Sequence, residues 1–291
     1  TRTSYQHAID TQINPLIGDI ALSDLTIEHI DKLQSAWTQS GLAGSSWAAT
    51  RTVVKQALDV AVRRGHISSN PAQYAPHAPR QERSPQVLSE EQTCALIANC
   101  REAVERARWM LALVLGLRQG EVLGLQWGDI DLDSESPTVR VQRTLQRRTG
   151  QGLVTGPPKT AKSRRTLQLP PELAKELHAH RRQQIEYLLS IGVPLTATTH
   201  VFTSGFGTPT DPANDRKVWL ATLERAGLPK FRLHAARHTS ATLMINHGVE
   251  LAVVGSVLGH STIATTADIY GHVSGDTAGD ALRKICGLVT A

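Results

Sequence analysis

A polar, proline-punctuated stretch early in the chain constrains its folding more than any other feature. After Asn70-Pro71 come Pro76, Pro79 and Pro85, interleaved with His77, Arg80, Gln81, Glu82 and Arg83. Proline lacks a backbone donor and breaks helix interiors, so this run reads as a linker between folded parts. At 291 residues the chain is also longer than one core usually organises. The sequence therefore predicts two domains, residues 1–75 and 88–291, joined over 76–87.

Hydrophobic spacing fills in both parts. Ser23 is expected to cap a helix from Asp24, along which Ile27, Ile30, Leu33 and Trp37 recur at three- and four-residue steps. A second helix is predicted over 45–64, with Trp47, Val54 and Leu58 on its apolar face, Arg51 and Lys55 on the rest, and Gly65 as its stop. Beyond the linker, Ser89 and Gln92 form a capping box for a helix reaching Asn99. Helices follow near 103–115 and 120–126. Alternation over 138–145 and 165–169 then predicts two strands, with Gly150, Gly152, Gly156, Pro157 and Pro158 breaking the chain between them. The simplest arrangement is one long β-hairpin. Pro170-Pro171 open a helix to about Leu189, and others are expected near 212–226, 233–247, 249–258 and 262–270. The fold class is mainly α with a small antiparallel β-sheet.

Charge is distributed unevenly. Net charge is +5, but between Val139 and Arg165 the chain places Arg140, Arg143, Arg147, Arg148, Lys159, Lys162, Arg164 and Arg165 with no Asp or Glu. Such a window is either a solvated hairpin or a face for an anionic polymer such as nucleic acid. The longest strongly apolar run, Trp109 to Leu117, has nine residues. A bilayer needs roughly 20, so no membrane helix is expected. Cys94, Cys100 and Cys286 fit neither metal spacing nor a disulfide framework and read as reduced thiols of a cytoplasmic protein. The chain begins at Thr1, which leaves a preceding segment open. Neither a phosphate-binding loop nor a dinucleotide fingerprint occurs, so no cofactor is expected. His234 and His238 share a helix face, but Ala235 stands where a zinc peptidase needs its glutamate, so no metal is expected.

Several boxes recur in a fixed order. Gly116-Leu117-Arg118-Gln119-Gly120-Glu121 is followed by Pro158-Lys159-Thr160-Ala161-Lys162-Ser163-Arg164-Arg165. Then come His234-Ala235-Ala236-Arg237-His238-Thr239, Leu258-Gly259-His260-Ser261, and Tyr270. This series resembles the tyrosine recombinases, the phage-integrase family, and is similar to integrases of actinobacterial phages and integrative elements. The resemblance implies a two-domain DNA clamp: a helical core-binding domain and a catalytic domain. It makes Arg118 and Arg237 the arginines on the scissile phosphate, Lys159 the hairpin lysine, His234 and His260 the histidines, and Tyr270 the nucleophile. Where the family usually has His-Asp-Leu-Arg-His, this chain has Ala235-Ala236 in the middle, neither position being chemical.

The residue types suit that chemistry. Guanidinium forks bind the non-bridging oxygens of a phosphodiester bidentately and offset charge that grows in the transition state. Nearby cations favour the phenolate of Tyr270, and a lysine inside a basic cluster can protonate the leaving 5′-oxygen. Lys162 is the weaker candidate for that acid. Glu121, one turn beyond Arg118, could hold that arginine in place, or could be an ordinary acid at a helix start. His238 is expected to pack or support. Arg51, Lys55, Arg143, Arg147, Arg148, Lys162, Arg164 and Arg165 are the expected DNA-backbone contacts. The resemblance further implies duplex DNA core sites as substrate, a homotetramer on DNA with residues 274–291, including Leu282 and Ile285, docking on a neighbour, and accessory DNA-bending or directionality proteins. Alternatives are a transposase or chromosome-dimer resolvase of the same family, or a catalytically silent DNA-binding regulator.

Overall fold

The computed structural model describes residues 2–40, 44–74, 86–158, 163–259, 282–283, 285–287 and 289. The chain divides into two compact units, Thr1–Ser84 and Pro85–Ala291.

In the first unit, α1 (Arg2–Ala8) passes through a π-helical turn (Ile9–Ile13) into α2 (Asn14–Ile17). Two longer helices follow, α3 (Ile27–Gln39) and α4 (Gly44–Arg63). Their apolar stripes meet: Ile30, Leu33 and Trp37 bury against Trp47, Val54 and Leu58, with Trp37 and Trp47 edge to face at 6.0 Å. The Trp37 indole N–H donates to the Gln12 carbonyl in the π turn at 3.0 Å, which ties the first helices to α3. The start of α3 differs from expectation. Residues Leu22–Asp24 form a 3-10 turn, and Thr26 rather than Ser23 caps the helix, its N–H donating to His29 Nδ1 at 3.1 Å. A competing local turn absorbs Ser23, whose hydroxyl bonds Asp24. Gly65 does end α4, at φ 73°, with His66 N–H reaching back to the Ala61 carbonyl at 3.0 Å.

The second unit begins with α5 (Glu90–Ala98), opened by the Ser89–Gln92 capping box. Helices α6 (Ala103–Leu113) and α7 (Gln119–Leu123) follow. Every residue of α6 from Ala107 to Leu113 is buried, so this helix is the axis of the core. Five short strands come next among the described residues: β1 (Ile130–Asp131), β2 (Thr138–Val141), β3 (Thr144–Arg148), β4 (Gly152–Gly156) and β5 (Arg165–Gln168). They form two sheets rather than one long hairpin. One has order β1-β2-β5, all antiparallel, with Val141 opposite Arg165; the other is the β3-β4 hairpin, with Arg148 opposite Gly152.

Two local causes explain that difference. The expected strand over 138–145 is cut at Gln142 and Arg143, whose side chains both turn onto the buried carboxylate of Asp129. The glycines that read as breakers instead close the extra hairpin, Gly150 and Gly152 supplying φ of 74° and 72° at its turn. Four helices complete the described fold: α8 (Pro171–Ser190), α9 (Pro212–Arg225), α10 (His234–Asn246) and α11 (Leu251–Leu258). The expected helix over 262–270 lies outside the described residues. Leu282 and Ile285, expected to dock on a neighbour, are buried with Cys286 and Val289 in the core of their own chain. Burial pushes the thiols of Cys100 and Cys286 up to about 12, far from nucleophilic character. Among the described residues no helix is long and apolar enough to cross a membrane.

Gly116 links α6 to α7 at φ 61°, and a Cβ there would lie 2.2 Å from Leu258 Cδ2. Gly116→Ala therefore meets a left-handed backbone penalty of roughly 1–2 kcal/mol together with overpacking of roughly 1–3 kcal/mol. Urea unfolding should show a loss of about 2–5 kcal/mol. Gly227→Ala, at φ 66° with open space around it, should lose only the backbone part. Equal losses would show that the crowding at Gly116 relaxes.

Candidate active site

Arg118 stands at the N-cap of α7 with extended backbone, φ −67° and ψ 150°. Its N–H donates to Glu121 Oε2 at 3.0 Å and its Nη1 to Glu121 Oε1 at 2.7 Å. One carboxylate thus fixes both the backbone and the guanidinium of the residue that starts the helix. Glu121 is buried, only 1% exposed. Burial pulls its pKa up, but the charge of Arg165, the Arg118 N–H and the Arg118 charge outweigh that and hold it below the ordinary value. The Arg118 side chain keeps 39% of its surface exposed.

Arg237 lies one turn into α10 and is 5% exposed. Its Nη1 donates to the Gly116 carbonyl at 2.7 Å and its Nη2 to the Leu258 carbonyl at 2.6 Å. The guanidinium therefore joins the loop before Arg118 to the end of α11. Beyond it, Gly259 caps α11 in the left-handed conformation, φ 68°, directly before His260. Ser240, one turn beyond Arg237, donates to the Val114 carbonyl at 3.0 Å and pins α10 to the end of α6.

His234 opens α10, and its ring meets His238 edge to face at 5.1 Å. Burial lowers the pKa of His234 first, then the charges of His238, Arg237 and Arg118; burial and Arg237 lower His238. Both shifts favour the neutral imidazole. Arg118, His234 and Arg237 line one cleft of about 470 Å³. In its wall, Arg108 donates through Nε and Nη2 to Asp215, both at 2.8 Å, and Asp215 also accepts from the Gln119 amide at 2.7 Å. Sequence reasoning missed this group. Its partners lie on α6, α7 and α9, and a buried Asp inside a helix carries no local signature.

The basic window is less uniform than its composition. Arg148 and Arg164 are exposed. Arg147 is exposed too, but its Nε donates to Asp211 Oδ2 at 2.6 Å. Arg143 is turned onto Asp129. Arg165 is not a surface contact: its side chain is 8% exposed and is bonded within the protein, which corrects its expected place on DNA. Arg51 and Lys55 lie half-buried on α4. Lys159, Lys162, His260 and Tyr270 lie outside the described residues. Among the described residues no three His, Cys, Asp or Glu side chains are grouped as metal ligands.

The phage integrase family model matches residues 86–276, and the chain belongs to that family. A tyrosine recombinase XerC-like protein of Caldanaerobacter subterraneus is 35% identical over 266 residues, covering 84% of this chain and 66% of its own length. An integrase of Saccharopolyspora erythraea is 28% identical over 339 residues, covering 98% and 77%. By structure, the Tn1549 transposon integrase in complex with transposon right end DNA aligns with TM-score 0.78 at 20% identity, over 98% of this chain and 94% of that one. A lambda integrase tetramer bound to a Holliday junction aligns with TM-score 0.63 at 18% identity, over 94% and 73%. The fold is that of the tyrosine recombinases, mostly helical with small antiparallel sheets.

Because His234 and His238 titrate lower in the fold than the roughly 6.5 of an unfolded histidine, the unfolded chain binds more protons just below that pH. Stability should therefore fall as pH is lowered from 7 to 5. In a His234→Gln, His238→Gln double variant this fall should be shallower between pH 6.5 and 5, before the carboxylates titrate. Urea unfolding of both proteins at half-unit steps checks this, and parallel profiles would refute it.

Proposed function

We propose that the protein is a site-specific DNA recombinase that cuts and rejoins duplex DNA through a 3′-phosphotyrosyl intermediate. The observation that carries the reading is the shared cleft of Arg118, Arg237 and His234 in a chain of the phage integrase family. Two arginines, each seated by buried contacts, supply fixed positive charge where a phosphodiester gains negative charge. In this reading Tyr270 Oη attacks the phosphorus, the bond to the 5′-oxygen breaks, and Lys159 gives that oxygen its proton. His234 and His260 orient the phosphate, and Glu121 and His238 support the arginines. A 5′-hydroxyl of the partner strand then attacks the phosphotyrosine and releases Tyr270. The bond energy stays in the covalent link, so the cycle needs no nucleotide.

The first unit, with Arg51 and Lys55, and the second would close around the duplex as core-binding and catalytic domains. Exchange between two duplexes calls for four protomers, in keeping with the tetramer named for lambda integrase. Accessory DNA-bending or directionality proteins would set the outcome, in the cytoplasm of a bacterial host. The basic window would track the backbone through Arg147 and Arg148 on the β3-β4 hairpin and Arg164 just before β5, joined by Arg143 and Lys162.

A library of nicked duplexes, in which cleavage releases a short fragment and strands the covalent complex, tests the reaction. The parent should yield an adduct that survives denaturing electrophoresis. Tyr270→Phe should yield none while binding the recovered duplex within a few fold, because the hydroxyl is the nucleophile and the ring is not the anchor. An adduct in the variant would sink the assignment. On the same duplex, replacing Arg147, Arg148 and Arg164 by Gln should flatten the dependence of log K on log salt by up to about 0.9 per lost phosphate contact. An unchanged slope would place these three arginines away from the backbone.

A further inference from the structure

Arg165 sits in the basic window but has the surroundings of a core residue. Its Nη2 donates to Glu121 Oε2 at 3.1 Å, its Nε to the Val257 carbonyl at 2.6 Å and its Nη1 to the Ser163 carbonyl at 3.1 Å. Burial lowers its pKa against the pull of Glu121, yet a guanidinium remains charged. Burying a cation is costly unless acceptors surround it, and here three segments provide them.

Those segments are the ones that carry the candidate chemistry. Glu121 is the carboxylate that grips Arg118 through both its N–H and its Nη1. Ser163 directly follows the stretch that contains Lys159. Val257 lies in the last turn of α11, three residues before His260, and the backbone passes so close that a Cβ on Gly259 would lie 3.0 Å from Arg165 Nη1. The left-handed turn at Gly259 and the guanidinium fit each other. A planar fork donates here from three separate nitrogens spread over one plane, whereas the three donors of an ammonium radiate from a single nitrogen.

We propose that Arg165 is a positioning residue for strand cleavage: one buried guanidinium sets Arg118, through Glu121, in register with the segments leading to Lys159 and His260. The proposal rests on the recombinase reading above for its catalytic consequence. Arg165 spends its donors within the protein, so its loss should act on the rate of cleavage and not on affinity. Misplacing catalytic groups by about 1 Å can cost about 10²-fold in rate.

The test uses Arg165→Lys and Arg165→Gln in single-turnover cleavage of the nicked duplex. Both should slow cleavage by about 10²-fold while the dissociation constant stays within a few fold and its salt slope is unchanged. In a double-mutant cycle, Arg165→Gln should cost little more once Glu121→Gln is present, because the two act as a unit. Amide hydrogen exchange should quicken at residues 117–122 and 257–259 while α5 and α8 keep their protection. Cleavage near the parent rate, a flattened salt slope, additive losses, or exchange that quickens everywhere would each overturn the proposal. Arg165→Lys keeps a cation beside Glu121, so a folded variant remains if the glutamine variant fails to fold. Should the parent give no covalent adduct, the recombinase reading falls by itself. Unaltered exchange at residues 117–122 in Arg165→Lys would still defeat the positioning role.

Discussion

A carboxylate in a protein core must be surrounded by donors or it takes up a proton, and the buried Glu121 meets that demand with two arginines and a backbone N–H. The constraint fixes much around it. Arg118 cannot rotate away without leaving the buried carboxylate short of one cation, a loss that solvent around the 39% exposed Arg118 side chain and the remaining Arg165 contact moderate. The start of α7, the direction of the Arg118 side chain and the approach of β5 all follow from one acid. Arg237 solves the complementary problem with a buried cation on two backbone carbonyls, at Gly116 and Leu258. The cleft is therefore walled by groups whose orientations are set before any phosphate arrives, the condition under which fixed dipoles and charges are most effective.

Rigid packing behind the cleft supports this arrangement. Trp109 and Trp219 meet edge to face at 5.1 Å, and the Trp109 N–H donates to Thr222 at 3.3 Å. Together with the Arg108–Asp215 pair these contacts bind α9 to the core axis. A polar network and an aromatic pair thus hold the same two helices, one supplying direction and the other most of the buried area.

What could be read from the sequence divides along a physical line. Signals that act within one or two turns were legible: the Ser89–Gln92 capping box, Gly65 after α4, Pro171 at the start of α8, and the His234 to His238 spacing on one helix. Arg118, Glu121 and Arg237 were legible because short boxes carry them. Contacts between distant segments were not. Arg108 and Asp215 are 107 residues apart, and nothing near either announces the other. Arg165 shows the same limit from the other side, since a run of basic residues reveals charge but not which side chain turns inward. The β3-β4 hairpin escaped because its glycines, which end regular structure in most settings, here make the turn that the strands need.

The hairpin meets α7 in an unusual way. Cβ atoms placed on Gly120 and Gly124 would lie 2.9 Å from the Leu145 carbonyl oxygen and 3.1 Å from its amide nitrogen, so strand and helix touch main chain to main chain. Side chains between two elements act as soft springs, because rotamers can change and take up small shifts. A joint of bare backbone has no such slack, and its compliance is that of covalent geometry and van der Waals contact. A push on the basic hairpin therefore reaches the helix that begins at Arg118 almost undamped, whereas a joint filled by leucines would spread it through the core.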